Sequence, residues 1–201
     1  MNKLRLHLEK KLREAISTFN EDEIYAISFF VYSNESYEYR EFSNVTTFAV
    51  SYNTERDCGY ADELSERRWN YAYWRQNEIP IIDYYEDTEG AEILFDWYFE
   101  NGIENIGYED DNCYDQARYI GKGPVGYYEL LEEVTAVAKK LQDEEFIKSK
   151  FGKAIPIIIH ELEYPWYTIE ATKKANAKGE ANVFLAALEA GGVIPPYLLE
   201  K

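Results

Sequence analysis

The sequence predicts an α+β fold, in which an antiparallel or mixed sheet with hairpin strands is packed by helices. Residues 23–33 and 46–54 are rich in aromatic and β-branched residues and flank a polar connection, as the two strands of a hairpin do. Several other segments place apolar residues at helical spacing. With 201 residues, 46% of them hydrophobic, the chain can bury a core, and we expect a single α+β domain over residues 1–201.

The first half is expected to start with an amphipathic helix that ends near Asn20, because apolar residues recur there every three or four positions. The two hairpin strands follow, over residues 23–33 and 46–54. The connection over residues 33–44 has no tight Asn-Gly turn, so it is either a long loop or carries another short strand. Residues 55–66 are expected to hold a helical turn or two.

Helices dominate the predicted second half. Residues 88–102 are expected to be helical, with Thr88 as the cap and Gly102 as the stop. Residues 103–124 have the composition of an irregular loop. The clearest helix covers residues 125–152, where acids crowd the first half and lysines the second. Its apolar stripe consists of Leu130, Val134, Val137 and Leu141.

The remaining segments complete the predicted sheet and its cover. Residues 155–162 form a short apolar run that is typical of a buried or central strand. A helix is expected after Pro165, and a last one over residues 180–192, where two glycines close it. Residues 79–83 are too short an apolar run to assign to a helix or a strand.

The net charge of −17 is concentrated in one part of the chain. Residues 76–117, hereafter the acidic segment, contain thirteen acids and no Lys or Arg. Such a segment either keeps the protein soluble or attracts a basic partner. Nucleic-acid binding is disfavoured, because it needs basic surfaces. The candidate partner-binding acids are Asp83, Glu86, Asp87, Glu89, Glu109, Asp110 and Asp111.

No sequence pattern identifies a catalytic, cofactor-binding or metal-ligating residue. The chain has no HExxH motif, zinc-type cysteine spacing, phosphate-binding glycine loop or G-x-S-x-G element. The acids of residues 109–115 lack the spacing of an EF-hand. His7 is expected to be solvated on a charged helix face. His160 is expected to be a hydrogen-bonded residue at a strand end, with a general base or metal ligand as the alternative.

The sequence also bears on the cellular setting. No apolar run approaches the length of a membrane span, and the N-terminal residues alternate charge and leucine, unlike a signal peptide. We therefore expect a cytoplasmic protein that does not enter a membrane. In that setting Cys58 and Cys113 are expected to be thiols without a disulfide between them.

A set of short motifs resembles a family of bacterial domains of unknown function. In chain order they read IYAISFFVYS, SYNTE, RRWNYAYW and TIEATKKAN, and together they extend over most of the chain. The family carries an Asn-Thr-Glu element, then an Arg-Trp and a second Trp, often preceded by an acid where this chain has Tyr73. The matching residues are Asn53, Thr54, Glu55, Arg68, Trp69 and Trp74. Some family members are proposed immunity proteins of polymorphic toxin systems.

Two roles are open for these motif residues. In a structural role, Trp69 and Trp74 close one face of the sheet and Arg68 pairs with Glu55. In a binding role, the aromatic residues and Arg68 form an exposed patch.

Three functions follow from the sequence. The first is a binding protein of the immunity type, which neutralises a basic toxin through its acidic surface, as the resemblance implies. The second is a small enzyme or ligand-binding domain with a pocket near Trp69, Trp74 and His160. The third is an acidic housekeeping protein whose charge serves solubility alone.

Overall fold

The computed structural model describes residues 2–33, 38–86, 88–109, 113–115 and 118–192. The helices are α1 (Lys3–Ser17), α2 (Glu66–Trp69), α3 (Thr88–Glu100), α4 (Tyr127–Asp143), α5 (Phe146–Phe151), α6 (Trp166–Ala175) and α7 (Asn182–Ala190). The strands are β1 (Ile24–Ser33), β2 (Glu38–Tyr39), β3 (Phe42–Ser43), β4 (Thr46–Thr54), β5 (Ile79–Ile82), β6 (Tyr114–Asp115), β7 (Arg118–Tyr119) and β8 (Ile157–His160). A short 3-10 helix, Tyr71–Tyr73, follows α2.

The main sheet has four strands in the order β5-β4-β1-β8. Strands β1 and β4 pair antiparallel, with Ile27 opposite Tyr52, as their aromatic and β-branched composition predicted. Strand β8 runs parallel to β1, so the sheet is mixed. The predicted α+β class is thereby confirmed, with the mixed form of the sheet.

One face of the sheet carries the main core, because alternate residues of a strand point to opposite faces. Ile27, Phe29 and Val31 of β1 lie in this core with residues of α1, α3 and α4. The predicted apolar stripe of α4 is buried against them. Leu130, Val134, Val137 and Leu141 are each at most 2% exposed. The predicted packing of this helix on the sheet is confirmed.

The opposite face of the sheet carries a second core. Ala26 and Phe30 of β1 point to this side, together with Ile158 of β8. Residues of α2, the 3-10 helix and α7 cover them. Helices therefore lie on both faces of the sheet, and the motif residues of the second core lie on the face opposite the main core that α3 joins. The second core touches the start of the acidic segment, where the Tyr71 hydroxyl donates a hydrogen bond to Glu78.

Side chains of α6 and of its C-terminal cap, Asn176, cover the outer edge of β8. Asn176 Oδ1 accepts a hydrogen bond from the Ile157 N–H at 3.0 Å, and its Nδ2 donates to the Ile157 carbonyl at 2.7 Å. Thr172 Oγ1 accepts from the Ile159 N–H at 2.9 Å and donates to its carbonyl at 3.1 Å. These two residues, one helical turn apart, replace a neighbouring strand.

Helix α3 packs closely on β5 at the other edge of the sheet. A Cβ on Gly90 would lie 2.8 Å from the Ile81 carbonyl oxygen and 2.9 Å from Nε2 of His7. Glycine therefore allows the close approach of helix and strand. The same contact buries His7, so the expectation that His7 is solvated is wrong.

The remaining differences from prediction are local. The helix expected over residues 125–152 is divided, because Glu145 has a left-handed backbone (φ 53°) between α4 and α5. Thr88 is the first residue of α3, within the helix. The connection after β1 carries the β2–β3 hairpin, which was the second expected form, and residues 79–83 contain β5.

Candidate functional site

The motif residues form one largely buried cluster at the end of β4, hereafter the Arg68 cluster, which consists of Asn53, Thr54, Glu55, Arg68, Trp69 and Trp74. Asn53 and Thr54 end β4, and α2 folds back so that Arg68 reaches Glu55. Arg68 Nη1 and Nη2 each lie 2.6 Å from a different carboxylate oxygen of Glu55, which makes a two-pronged ion pair. Hydrogen bonds from Arg68 hold the pKa of Glu55 below its usual range. This is the ion pair of the structural role. Arg68, Trp69 and Trp74 are buried, which contradicts the exposed patch of the binding role.

Tyr25 of β1 connects the Arg68 cluster to the sheet. Its hydroxyl donates to the Arg68 carbonyl and accepts from Asn53 Nδ2 at 2.8 Å. The guanidinium of Arg68 lies over the Tyr25 ring, 4.0 Å from its centroid. Trp74 Nε1 donates to the same Arg68 carbonyl at 2.8 Å. The chain from residue 53 to residue 74 is therefore fastened to β1 by its own motif side chains.

His160 lies in the second core and is completely buried. Its Nδ1 is 2.6 Å from the Glu161 carbonyl, which can only accept, so Nδ1 carries the proton. Its Nε2 then accepts from Ser28 Oγ at 2.7 Å. Burial lowers the pKa of His160 to about 4, so the ring is neutral at physiological pH.

The Ser28–His160 hydrogen bond has the form of a nucleophile–base pair, yet it is closed to substrates. Both residues are 0% exposed. The rings of Phe30, Tyr71 and Trp74 enclose the imidazole, with centroids 4.8 to 5.5 Å away. Because no reactant reaches either atom in this arrangement, the geometry fits a structural histidine.

A cleft of about 570 Å³, hereafter the α2–α7 cleft, opens beside the second core. It is lined by Leu64, Ser65, Glu66, Trp69, Asn70, Leu162, Glu163, Tyr164, Pro165, Ala187, Leu188 and Gly191. Of the three residues expected near a pocket, Trp69 lines this cleft, whereas Trp74 and His160 are not among its lining residues.

The predicted partner-binding acids have different surroundings. Glu86 and Glu89 are exposed. Asp83 accepts hydrogen bonds from the backbone N–H groups of Tyr85 at 2.8 Å and Glu86 at 2.6 Å, so its carboxylate shapes a turn. Exposed Glu109 accepts from the Tyr119 hydroxyl. Asp87, Asp110 and Asp111 lie outside the described residues.

Helix α3 extends this acidic surface beyond the predicted residues. Its solvent-facing acids are Glu89, Glu92, Asp96 and Glu100. They recur every three or four residues and extend about 16 Å along the helix axis. Like charges four residues apart repel one another, and acids near the C-terminal end oppose the helix dipole. The helical periodicity of residues 88–100 is the sequence signal that identifies this face.

The acidic segment is set apart by how few of its acids are paired. Among the described residues, ten carboxylates outside the segment form ion pairs with Lys or Arg. Inside the segment, the described part of the chain shows one such acid, Glu92, which pairs with Arg40. The negative charge of the described part of this surface is therefore left largely uncompensated by the Lys and Arg side chains of the described residues.

Among the described residues of the acidic segment, three large aromatic side chains face solvent. Tyr85, Phe99 and Tyr108 are 68%, 54% and 62% exposed. Other aromatic residues of the segment, including Tyr84, Phe95 and Tyr98, are buried in the main core. The surface therefore combines unpaired acids with exposed rings.

The described residues contain no cluster of three or more His, Cys, Asp or Glu side chains that could hold a metal ion. No helix among them is long and apolar enough to cross a membrane. Cys58 and Cys113 are not joined by a disulfide.

Comparisons with protein-family models, curated proteins and solved structures find no match for this chain. Its function is therefore inferred from the chemistry of its own surfaces.

Proposed function

We propose that this protein binds a basic partner protein through the acidic segment, in the manner of an immunity protein that neutralises a toxin. The observation that carries the proposal is the uncompensated charge on the outer face of α3. Glu89, Asp96 and Glu100 are exposed there, and among the described acids of this face only Glu92 forms an ion pair, with Arg40. A cationic partner supplies the charges that the chain itself does not.

Electrostatics gives this surface its expected role in association. A concentrated charge of one sign steers an oppositely charged protein into contact and raises the rate of association at low salt. The same charge repels nucleic acids, whose phosphates are negative. A basic protein is therefore the partner class that this surface favours.

The exposed aromatic residues supply the second part of the proposed interface. Tyr and other aromatic residues are over-represented among the residues that carry binding energy, because they bury a large apolar area on contact. Tyr108 and Phe99 lie within the acidic segment and are mostly exposed. This combination favours protein binding over a role in solubility alone, since exposed rings reduce solubility.

The immunity role itself is supported by the resemblance of the motifs to a family with proposed immunity members. In such a system, the partner is encoded beside the immunity protein. The candidate partner for a test is therefore the product of the adjacent gene.

The test measures binding kinetics with that gene product for the wild type and for a Glu86→Lys, Glu89→Lys, Asp96→Lys variant. We expect the reversal to lower the association rate at least tenfold at low salt, with a smaller effect at high salt, because screening shortens the reach of the charges. A Tyr108→Ser variant is expected to raise the dissociation rate instead.

The matched control changes the total charge by the same amount as the first triple variant, but at acids that form ion pairs with Lys or Arg. The Glu132→Lys, Glu144→Lys, Glu170→Lys variant replaces carboxylates that already have basic partners. We expect it to keep most of the wild-type association rate. Equal rates for both triple variants would remove the acidic segment from the mechanism, and no binding by the wild type would contradict the proposed partnership.

A further inference from the structure

The α2–α7 cleft is distinct from the acidic segment. It lies over the second core, between α2, α7 and the turn that follows β8. Helix α3 packs against α1 and β5, at the opposite edge of the sheet from β8. A ligand in this cleft would therefore use a different surface from the basic partner proposed above.

Two exposed leucines converge on this cleft from distant parts of the chain. Leu64 lies in the turn before α2 and is 53% exposed, and Leu162 lies after β8 and is 58% exposed. Single exposed apolar residues are ordinary, but two that line one concave surface form a patch that water solvates poorly. The cleft thus offers two apolar walls to an incoming side chain.

The floor of the cleft is apolar and fixed in place. Trp69 and Leu188 are each only 4% exposed, and they pack within the second core. Trp69 Nε1 donates to the Glu63 carbonyl at 2.6 Å, and the Tyr164 hydroxyl donates to the Trp69 carbonyl. Because these bonds hold the floor, binding requires little rearrangement of the protein.

Three features give the cleft a negative potential. Glu66 and Glu163 are exposed at its rim, and the C-terminal end of α7 contributes the partial negative charge of its carbonyl groups. The last turn of α7 contains no basic residue. The described residues that line the cleft include no Lys, Arg or His. An occupant with apolar and cationic groups would complement both the apolar walls and floor of the cleft and its negative potential.

We propose that the α2–α7 cleft binds a segment of a partner protein that inserts an apolar side chain between Leu64 and Leu162. Lysine or arginine residues next to it in the partner would face Glu66, Glu163 and the end of α7. The volume of about 570 Å³ accommodates a few side chains, and the open rim admits a continuous peptide.

The experiment uses a fluorescein-labelled peptide with Leu-Phe-Leu between two pairs of lysines and follows its anisotropy as the full-length protein is added. We expect saturable binding that weakens as salt rises. Leu162→Glu should weaken binding by roughly tenfold or more, because it places a carboxylate on an apolar wall. Glu66→Lys with Glu163→Lys should weaken it through the loss of charge attraction.

The control on the same helix is Val183→Glu. Val183 is 40% exposed on α7 but does not line the cleft, so this variant should bind as the wild type does. Reversal of Glu86, Glu89 and Asp96, which do not line the cleft, should weaken peptide binding less than Glu66→Lys with Glu163→Lys does. That control separates this site from the acidic segment, so either proposal can fail without the other.

Several outcomes would overturn the proposal. Absence of saturable binding would do so, as would equal binding by Leu162→Glu or by a peptide with glutamates in place of the lysines. A chain ending at Gly192 should bind the peptide as the full-length protein does. Binding that appears only in that shortened chain would make the chain's own residues 193–201 the occupant, and would exclude a partner segment.

Discussion

At the scale of single residues, His160 shows how the second core fixes a polar group without exposing it. Ser28 and the Glu161 carbonyl hydrogen-bond its two ring nitrogens, so the neutral ring is satisfied although it is completely buried. A positive charge there would have no water around it, and burial is the main cause of the lowered pKa of His160. The residue thus makes the stability of the fold depend on pH.

The sign of that dependence follows from linkage. The pKa of His160 is about 4 in the folded protein and about 6.5 when exposed, so on acidification the unfolded chain takes up the proton first. The contribution to stability is complete above about pH 6.5 and is lost as the pH falls towards 4. We expect this loss to reach about 3 kcal/mol in the free energy of unfolding.

Urea unfolding of the wild type and His160→Gln at several pH values tests this prediction. The variant is expected to be less stable at pH 7 but to lose less stability between pH 7 and pH 4. Glu161, whose pKa is raised by burial, acts in the opposite sense in both proteins, so the difference between the two curves isolates His160. Parallel curves would contradict the prediction.

At the scale of secondary-structure elements, helix side chains protect the edge of the sheet. Thr172 of α6 and Asn176, which caps the C-terminus of that helix, hydrogen-bond the outer N–H and carbonyl groups of Ile159 and Ile157. An unprotected strand edge would be open to pairing with another chain. Helix α6 therefore closes β8 without adding a fifth strand to the main sheet.

Asn176→Leu is expected to lower the free energy of unfolding by about 2–4 kcal/mol. The apolar side chain leaves the Ile157 N–H and carbonyl buried without this partner, and Gln142 Nε2 also loses its bond to Asn176 Oδ1. Lys174→Leu, on the exposed side of α6, should change the free energy of unfolding by less than about 1 kcal/mol. Faster hydrogen exchange of the Ile157 amide identifies the edge as the cause, and an unchanged exchange rate would exclude it.

At the scale of the whole molecule, charge is distributed unevenly around a well-packed core. Ion pairs neutralise many acids of α1, of α4 and of the Arg68 cluster. The outer face of α3 carries acids four residues apart, and Asp96 and Glu100 lie near the helix end that disfavours them. The fold therefore tolerates a locally unfavourable arrangement, which is common where a surface serves binding.

Asp96→Lys with Glu100→Lys is expected to stabilise the protein by about 1 kcal/mol at low salt, which raises the melting temperature by about 2–4 °C. The change removes like-charge repulsion and places cations near the helix C-terminus. The gain should shrink as salt rises. Glu132→Lys with Glu170→Lys alters the total charge equally but breaks pairs with Lys174 and Lys173, so no gain is expected. Equal gains in stability for the two double variants would show that the effect comes from the total charge and not from the position of the acids on α3.

The sequence by itself determined the elements whose pattern is local. The hairpin strands β1 and β4 and the apolar stripe of α4 follow from residue type and spacing, because periodicity records which side of an element faces a core. The location of the excess acid is likewise a property of the chain alone.

Tertiary structure decided which elements meet. Local spacing does not specify that β8 pairs parallel to β1 at the sheet edge, nor that Asn176 covers that edge, because both depend on packing between segments distant in sequence. The burial of His7 required α3 to lie over it, and the cleft required Leu64 and Leu162 to converge. Such contacts arise only when the chain folds around its core, since an apolar pattern identifies a buried face but not the surface that covers it.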